Sequence, residues 1–211
     1  MQENDQRTMC YRCHKPGVVC VCGRIEPVHN RTGIVILQHE KERFHPVGTA
    51  RFACLGLTRS RLIVLRPGER EGLNPPLEFP PGSGLLFPGP QAHDLQGLSP
   101  DRRPEHLVVL DGTWRHARAL LRSTPELVAL PRFALQPATP SAYRIRREPR
   151  PECLSTIESI VAALRILEPE TRGLDALIDV FHSMVEQQIY WEAVGHERRA
   201  RRVPCSHRDA G

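Results

Sequence analysis

The sequence predicts an α/β fold built on a doubly wound, mostly parallel sheet. Three observations carry that expectation: short apolar runs rich in β-branched residues, helical periodicities lying between them, and two helical stripes in the C-terminal third. At 211 residues the chain has room for one such body with a full core and one small appendage.

The appendage comes first in the chain. Cys10, Cys13, Cys20 and Cys22 place four of the seven cysteines in one short stretch, while Cys54, Cys153 and Cys205 are scattered. In a reducing cytosol such a cluster points to metal more than to disulfides. A segment this short cannot bury a core of its own, and C-x-x-C followed by C-x-C supplies four thiolates for a closed tetrahedral zinc site, with His14 able to replace one ligand. A closed site leaves no position for chemistry, so the expected zinc is structural and folds a knuckle within residues 1–30.

Gly33–Leu37 is the first strand, a continuous run of Ile, Val and Leu behind a glycine. Arg61–Leu65, Gly84–Phe87 and His106–Leu110 repeat the pattern. Runs with so little alternation fit a parallel sheet covered on both faces. Between them, Val47, Ala50, Cys54 and Leu57 recur at helical spacing, as do Trp114, Ala117 and Leu121. Alternation of strand and helix implies βαβ units. Two apolar stripes follow: Ile157, Ile160, Val161, Leu164 and Leu167, then Leu174, Leu177, Ile178, Phe181, Met184 and Val185. Both read as core faces. The Pro-rich stretches 74–90 and 137–151 are loops, and the basic residues 198–211 read as a disordered tail, which leaves 31–197 as the main domain.

Composition narrows the function classes. No apolar run approaches the roughly 20 residues that span a bilayer, so no membrane partner is expected. Residues 1–9 are polar and lack the apolar core of a secretory signal, which predicts a cytoplasmic chain. The excess of 29 Lys+Arg over 24 Asp+Glu, a net +5, favours a polyanionic partner. Arg115, Arg118 and Arg122 recur on one helical face, and Arg144, Arg146, Arg147 and Arg150 follow Tyr143 in a loop. Together they suit RNA phosphates, which position a substrate without reading its sequence.

The most specific string is Leu107-Val-Val-Leu-Asp-Gly-Thr-Trp114: a strand, then an acid, a flexible glycine, a helix-capping threonine and a tryptophan that opens the next helix. It resembles the signature of the DTW-domain family. Other pieces agree in the same order: the leading cysteines, Gln38-His39, Thr49-Ala-Arg51, Leu86-Phe-Pro-Gly89, Tyr143-Arg-Ile-Arg146 and Leu154-Ser-Thr-Ile-Glu158. The one departure is Glu40, where a proline is expected after Gln-His.

The resemblance implies a tRNA-uridine aminocarboxypropyltransferase that uses S-adenosylmethionine, on a SPOUT-like fold ending in a C-terminal trefoil knot. It implies tRNA as partner, leaves monomer and homodimer open, and places the cofactor pocket at Leu86, Phe87, Pro88, Gly89, Gly112, Thr113, Trp114, Leu154, Ser155, Thr156 and Glu158. RNA contacts fall to Arg51, Arg115, Arg118, Arg144, Arg146 and Arg147.

Asp111 sits at the C-terminal end of a buried strand, where open α/β sheets put their ligands, and is the expected general base or anchor for the substrate amine. Thr113 is the natural N-cap of the helix opened by Trp114, which stacks on a base or belongs to the core. Ser155-Thr-Ile-Glu158 is a capping box, and the same helix end can receive the cofactor's carboxylate. His39, His93 and His116 show no partner in sequence and read as structural or solvated. The rival readings are a SPOUT-type RNA methyltransferase, an aminocarboxypropyltransferase acting on ribosomal RNA, and a non-enzymatic zinc-knuckle RNA-binding factor.

Overall fold

The computed structural model describes residues 8–45, 48–68, 74, 76–136 and 154–200. The expected loop with Tyr143, Arg144, Arg146, Arg147 and Arg150 lies outside them, as does the expected tail from residue 201 onward.

Six strands form one sheet: β1 Gly33–His39, β2 Ser60–Leu65, β3 Ser83–Leu86, β4 His93–Asp94, β5 His106–Asp111 and β6 Arg132–Ala134. Their order is β2-β1-β5-β3-β6-β4, and every pairing in it is parallel. The four runs expected as strands are β1, β2, β3 and β5. β4 and β6 escaped the sequence reading because they are two and three residues long and show no apolar run.

Among the described residues four α-helices complete the body: α1 Ala50–Gly56, α2 Trp114–Ser123, α3 Thr156–Leu167 and α4 Leu174–Ala200. α4 runs three residues into the stretch expected as tail. Because side chains alternate across a strand, the sheet carries two separate cores. Ile34, Ile36, Leu107 and Val109 face α1, α3 and α4, where Phe52, Ile160, Leu164 and Phe181 are buried. Val35, Leu37, Val108 and Leu85 face α2, where Leu120 is buried. Helices thus cover both faces, as a doubly wound sheet requires.

Both C-terminal stripes are core faces, with Ile178 alone partly buried. On α2 the buried pair is Ala117 and Leu120, while Trp114 and Leu121 stay half-buried. Ala117 is buried as expected, Leu121 packs against the core from its margin, and Trp114, in the first helical turn, meets Phe87.

The cysteine-rich segment is fastened to the body. Val21 and Val28 lie in the same core as α4, Val28 N–H donates to Gly56 O at 2.8 Å, and Arg24 Nη1 donates to Ser183 Oγ at 2.7 Å.

Candidate active site

In a parallel sheet all strands end at one edge, and ligands bind where the connections leaving two neighbours run to opposite sides. β1 is such a strand: its chain leads outward to β2, whereas β5 beside it leads the other way to β6. The crevice between β1 and β5 is therefore the switch point, and the last residues in register across it are Gln38 and Asp111.

Asp111 is buried, and both its oxygens are engaged. Gln38 Nε2 donates to Oδ2 at 2.9 Å, and Thr156 Oγ1 donates to Oδ1 at 2.5 Å. The donor to a carboxylate must be the amide nitrogen, which turns Gln38 Oε1 the other way. That oxygen is buried and has no hydrogen-bond partner among the described residues. A buried acceptor without a donor costs about 1–3 kcal/mol, which leaves this oxygen open to a hydrogen-bond donor.

Thr156 reaches Asp111 because α3 begins there. Ser155 is its N-cap: Glu158 N–H donates to Ser155 Oγ at 3.4 Å and Ser155 N–H donates to Glu158 Oε2 at 2.8 Å, the reciprocal box read from the sequence. The side chains of Ser155 and Glu158 are thus occupied by each other. The helix end they brace offers its first-turn N–H groups and positive dipole beside Asp111.

On the other side of Asp111 the chain turns sharply. Gly112 has φ +153°, and a Cβ there would stand 2.8 Å from His116 Cβ, so no larger residue fits without displacement. Thr113 caps α2, its Oγ1 accepting from His116 N–H at 3.2 Å.

The turn is held by a residue that sequence reasoning missed. Glu42, buried in the turn after β1, accepts at Oε1 from Thr113 N–H at 3.3 Å and pairs with His116 Nδ1 at 2.9 Å. His116 in turn stacks on His39, with ring centroids 4.2 Å apart. His39 Nδ1 accepts from Lys41 N–H at 3.2 Å. Burial, followed by the neighbouring His116, holds the His39 imidazole below its ordinary value of 6.5. Neither histidine is solitary: they stack on each other and His116 meets Glu42, contacts between positions more than 70 apart that no local spacing reveals. His93, on β4, lies 6.3 Å from the Phe133 ring.

Pleat alternation separates these groups. Gln38 and Asp111 continue the face of Ile36 and Val109 toward α3, whereas His39 continues the face of Leu37 toward α2. A ligand lying over the edge at Gly112 has the carboxylate on one flank and the imidazole pair on the other.

Leu86, Phe87, Pro88 and Gly89 leave the C-terminal end of β3 at the same edge, and Phe87 meets Trp114 with centroids 5.9 Å apart. The ends of β3 and β5 and the start of α3 thus share this edge, with Thr156 touching Asp111 and Phe87 touching Trp114. Arg115 and Arg118 are exposed on α2, and Arg51 is half-buried on α1.

The knuckle's four sulfurs lie within 4.8 Å of one another. Cys10 and Cys22 are 3.8 Å apart, as are Cys13 and Cys20. Zinc at about 2.3 Å from each sulfur of a regular tetrahedron separates the sulfurs by roughly 3.8 Å, so the donor set fits that ion. Burial raises Cys13 and Cys22, whereas a backbone hydrogen bond from Cys13 lowers Cys10 to about 6. Buried Lys15 stands beside Cys13 and is lowered to about 8 by burial.

Comparison with known proteins gives a consistent picture. The profile of the DTW domain matches residues 7–189. The chain is 32% identical over 203 residues to tRNA-uridine aminocarboxypropyltransferase 2 of Drosophila melanogaster, covering 92% of this chain and 80% of that protein. It is 30% identical over 199 residues to the Mus musculus protein of the same name, covering 90% of this chain and 66% of that one. With tRNA-uridine aminocarboxypropyltransferase A of Arabidopsis thaliana it shares 25% identity over 220 residues, covering 87% and 81%. No solved structure matches the chain. No described helix is long and apolar enough to cross a membrane.

Proposed function

The chain belongs to the DTW-domain family, and on that premise we propose that it transfers the 3-amino-3-carboxypropyl group of S-adenosylmethionine to N3 of a tRNA uridine. The observation that carries this reading is the pair Asp111 and Gln38 at the switch point: a fixed carboxylate beside a buried carbonyl oxygen that still lacks a donor. The reaction brings two such donors, the ammonium of the transferred group and the N3–H of uracil.

In the reaction N3 forms a bond to the γ-carbon of the methionine moiety, the carbon–sulfur bond breaks, and the sulfonium leaves as the neutral thioether methylthioadenosine. The N3 proton goes to Asp111, which we assign as the general base, and from there to solvent. Thr156 and Gln38 hold that carboxylate in one orientation. Gln38 Oε1 accepts from the substrate. The α3 N-terminus at Leu154, Ser155 and Thr156 receives the donor's carboxylate, and Glu158 braces it through the capping box. Leu86, Phe87, Pro88 and Gly89, with Gly112, Thr113 and Trp114, surround the adenosine. Arg51, Arg115 and Arg118 take tRNA phosphates; Arg144, Arg146 and Arg147 complete the set by family resemblance.

We further assign Cys10, Cys13, Cys20 and Cys22 to one structural zinc in a knuckle spanning residues 1–30, with residues 31–197 as the catalytic domain. The knot and the SPOUT grouping rest on family resemblance, and the cytosol is the expected compartment.

The test uses S-adenosylmethionine labelled in either the carboxyl carbon or the methyl group, with unmodified tRNA as acceptor. Carboxyl label in the RNA is expected. Methyl label instead would make the protein a methyltransferase, and carboxyl label entering only ribosomal RNA fragments would change the substrate.

A further inference from the structure

Beside the crevice the knuckle and the turn after β1 meet in a cluster that none of the chemistry above uses. His14, a non-glycine residue at φ +56°, stacks its ring on Phe44 with centroids 5.6 Å apart and planes 16° from parallel. The guanidinium of Arg43 lies 5.0 Å from the Phe44 ring centre. Around this stack the surface is open: Phe44 is 67% exposed and Tyr11 is 86% exposed, and Arg12 is exposed as well.

Two aromatic rings this open, beside Arg12 and Arg43, form a surface suited to a partner. Two features identify its chemistry. Aromatic faces bound by cations suit a nucleobase, because each base has a π-face and each nucleotide brings a phosphate. Position is the second: Phe44 follows Glu42 by two residues, and Glu42 holds the backbone of Thr113 in the turn after Asp111. A nucleotide seated on this rim is therefore next to the reacting edge.

Building on the tRNA reading, we propose that this rim holds an unpaired nucleotide of the RNA substrate, its base on the Phe44–His14 stack and its phosphates on Arg12 and Arg43. The knuckle then has a second task besides folding, since it supplies His14 and Arg12 to the substrate surface. Unpaired bases are what RNA-binding proteins read by stacking, because bases inside an A-form helix are not accessible.

The experiment compares the full-length wild type with Phe44→Ala, Phe44→Leu, Phe44→Trp and Arg43→Gln in the carboxyl-label transfer assay. It measures KM for tRNA, the affinity for S-adenosylmethionine alone, and zinc content. Phe44→Ala and Phe44→Leu are expected to raise KM for tRNA roughly five- to hundredfold, the loss of one stacked base. Phe44→Trp restores it, and Arg43→Gln lowers the slope of log KM against log salt by roughly 0.7. Donor affinity and metal content stay at wild-type values in all four. Because leucine keeps the apolar contact with His14 and removes only the π-face, an unchanged KM in Phe44→Leu overturns the proposal, as does an equal loss of donor affinity. If the wild type itself labels no RNA, the tRNA reading fails; if it labels tRNA and the variants match it, only the rim is refuted.

Discussion

Thr156 donates its hydroxyl to Asp111 across 2.5 Å, joining the first residue of α3 to the last residue of β5. The two stand 45 positions apart in sequence, so the orientation of the carboxylate depends on where a helix begins. Thr156→Val removes a hydrogen bond to a charged group, worth about 1.5–3 kcal/mol. We expect turnover to fall by roughly ten- to hundredfold, with recovery in Thr156→Ser. Equal rates for valine and serine in the carboxyl-label assay would show that the bond does not matter to the reaction.

Asp111→Asn keeps an acceptor for Thr156 and removes the base. Turnover should drop by about a hundredfold or more while the fold persists, since a positioned base contributes roughly 10²–10⁴. Single-turnover transfer, read beside binding of S-adenosylmethionine, separates two roles. Lost transfer with retained binding supports the base, whereas lost binding makes Asp111 an anchor for the substrate amine.

Ser155→Ala breaks one arm of the capping box and should cost about 1 kcal/mol, or roughly 2–4 °C in Tm for a chain of this length. Calorimetry without ligands reads that change. A matching loss of donor affinity would place the α3 end in the pocket; no change in affinity would confine Ser155 to stability.

Elemental analysis should find one zinc per chain, held by Cys10, Cys13, Cys20 and Cys22. Cys13→Ser should lose the metal and lower Tm of the entire body, because Val21 and Val28 belong to the main core. A metal-free wild type would remove the zinc assignment.

His39 gives the pH dependence a sign. Its folded value lies below 6.5, so under mild acid the unfolded chain binds the proton more readily. The contribution is intact above pH 6.5 and is lost as pH falls through the folded value. Glu40 and Glu42 oppose that shift, while His116 and Lys41 support it. His39→Gln should flatten the decline in stability below pH 6.5, measured by denaturant titration; an unchanged slope would assign the decline to other groups.

Much of this was legible in the residues. β1 declares itself because a strand buried on both faces is apolar along its length, as Gly33–Leu37 is, and β2, β3 and β5 carry similar short apolar runs. Ser155 and Glu158 were readable because a capping box is local. β6 was not: of Arg132, Phe133 and Ala134 only Phe133 is buried, and three residues carry no period. The clamp of Glu42 on Thr113 and His116 was equally hidden, since it joins a turn after β1 to one after β5 across more than 70 positions. Topology brings those groups together, and a one-dimensional pattern has no way to record it.

The pairing of β1 with β5 also fixes an order of events during synthesis. β1 lies inside the sheet, yet Ile34 finds its neighbour Leu107 only after more than seventy further residues have been added. The core that Val28 joins is completed later still, by Phe181 and Met184 of α4. A chain emerging from the ribosome can pair β1 with β2 early, but the other edge of that apolar strand stays open until β5 has been made, and sheets that rely on such distant contacts form slowly. The nascent chain therefore exposes an apolar strand edge that the finished one covers.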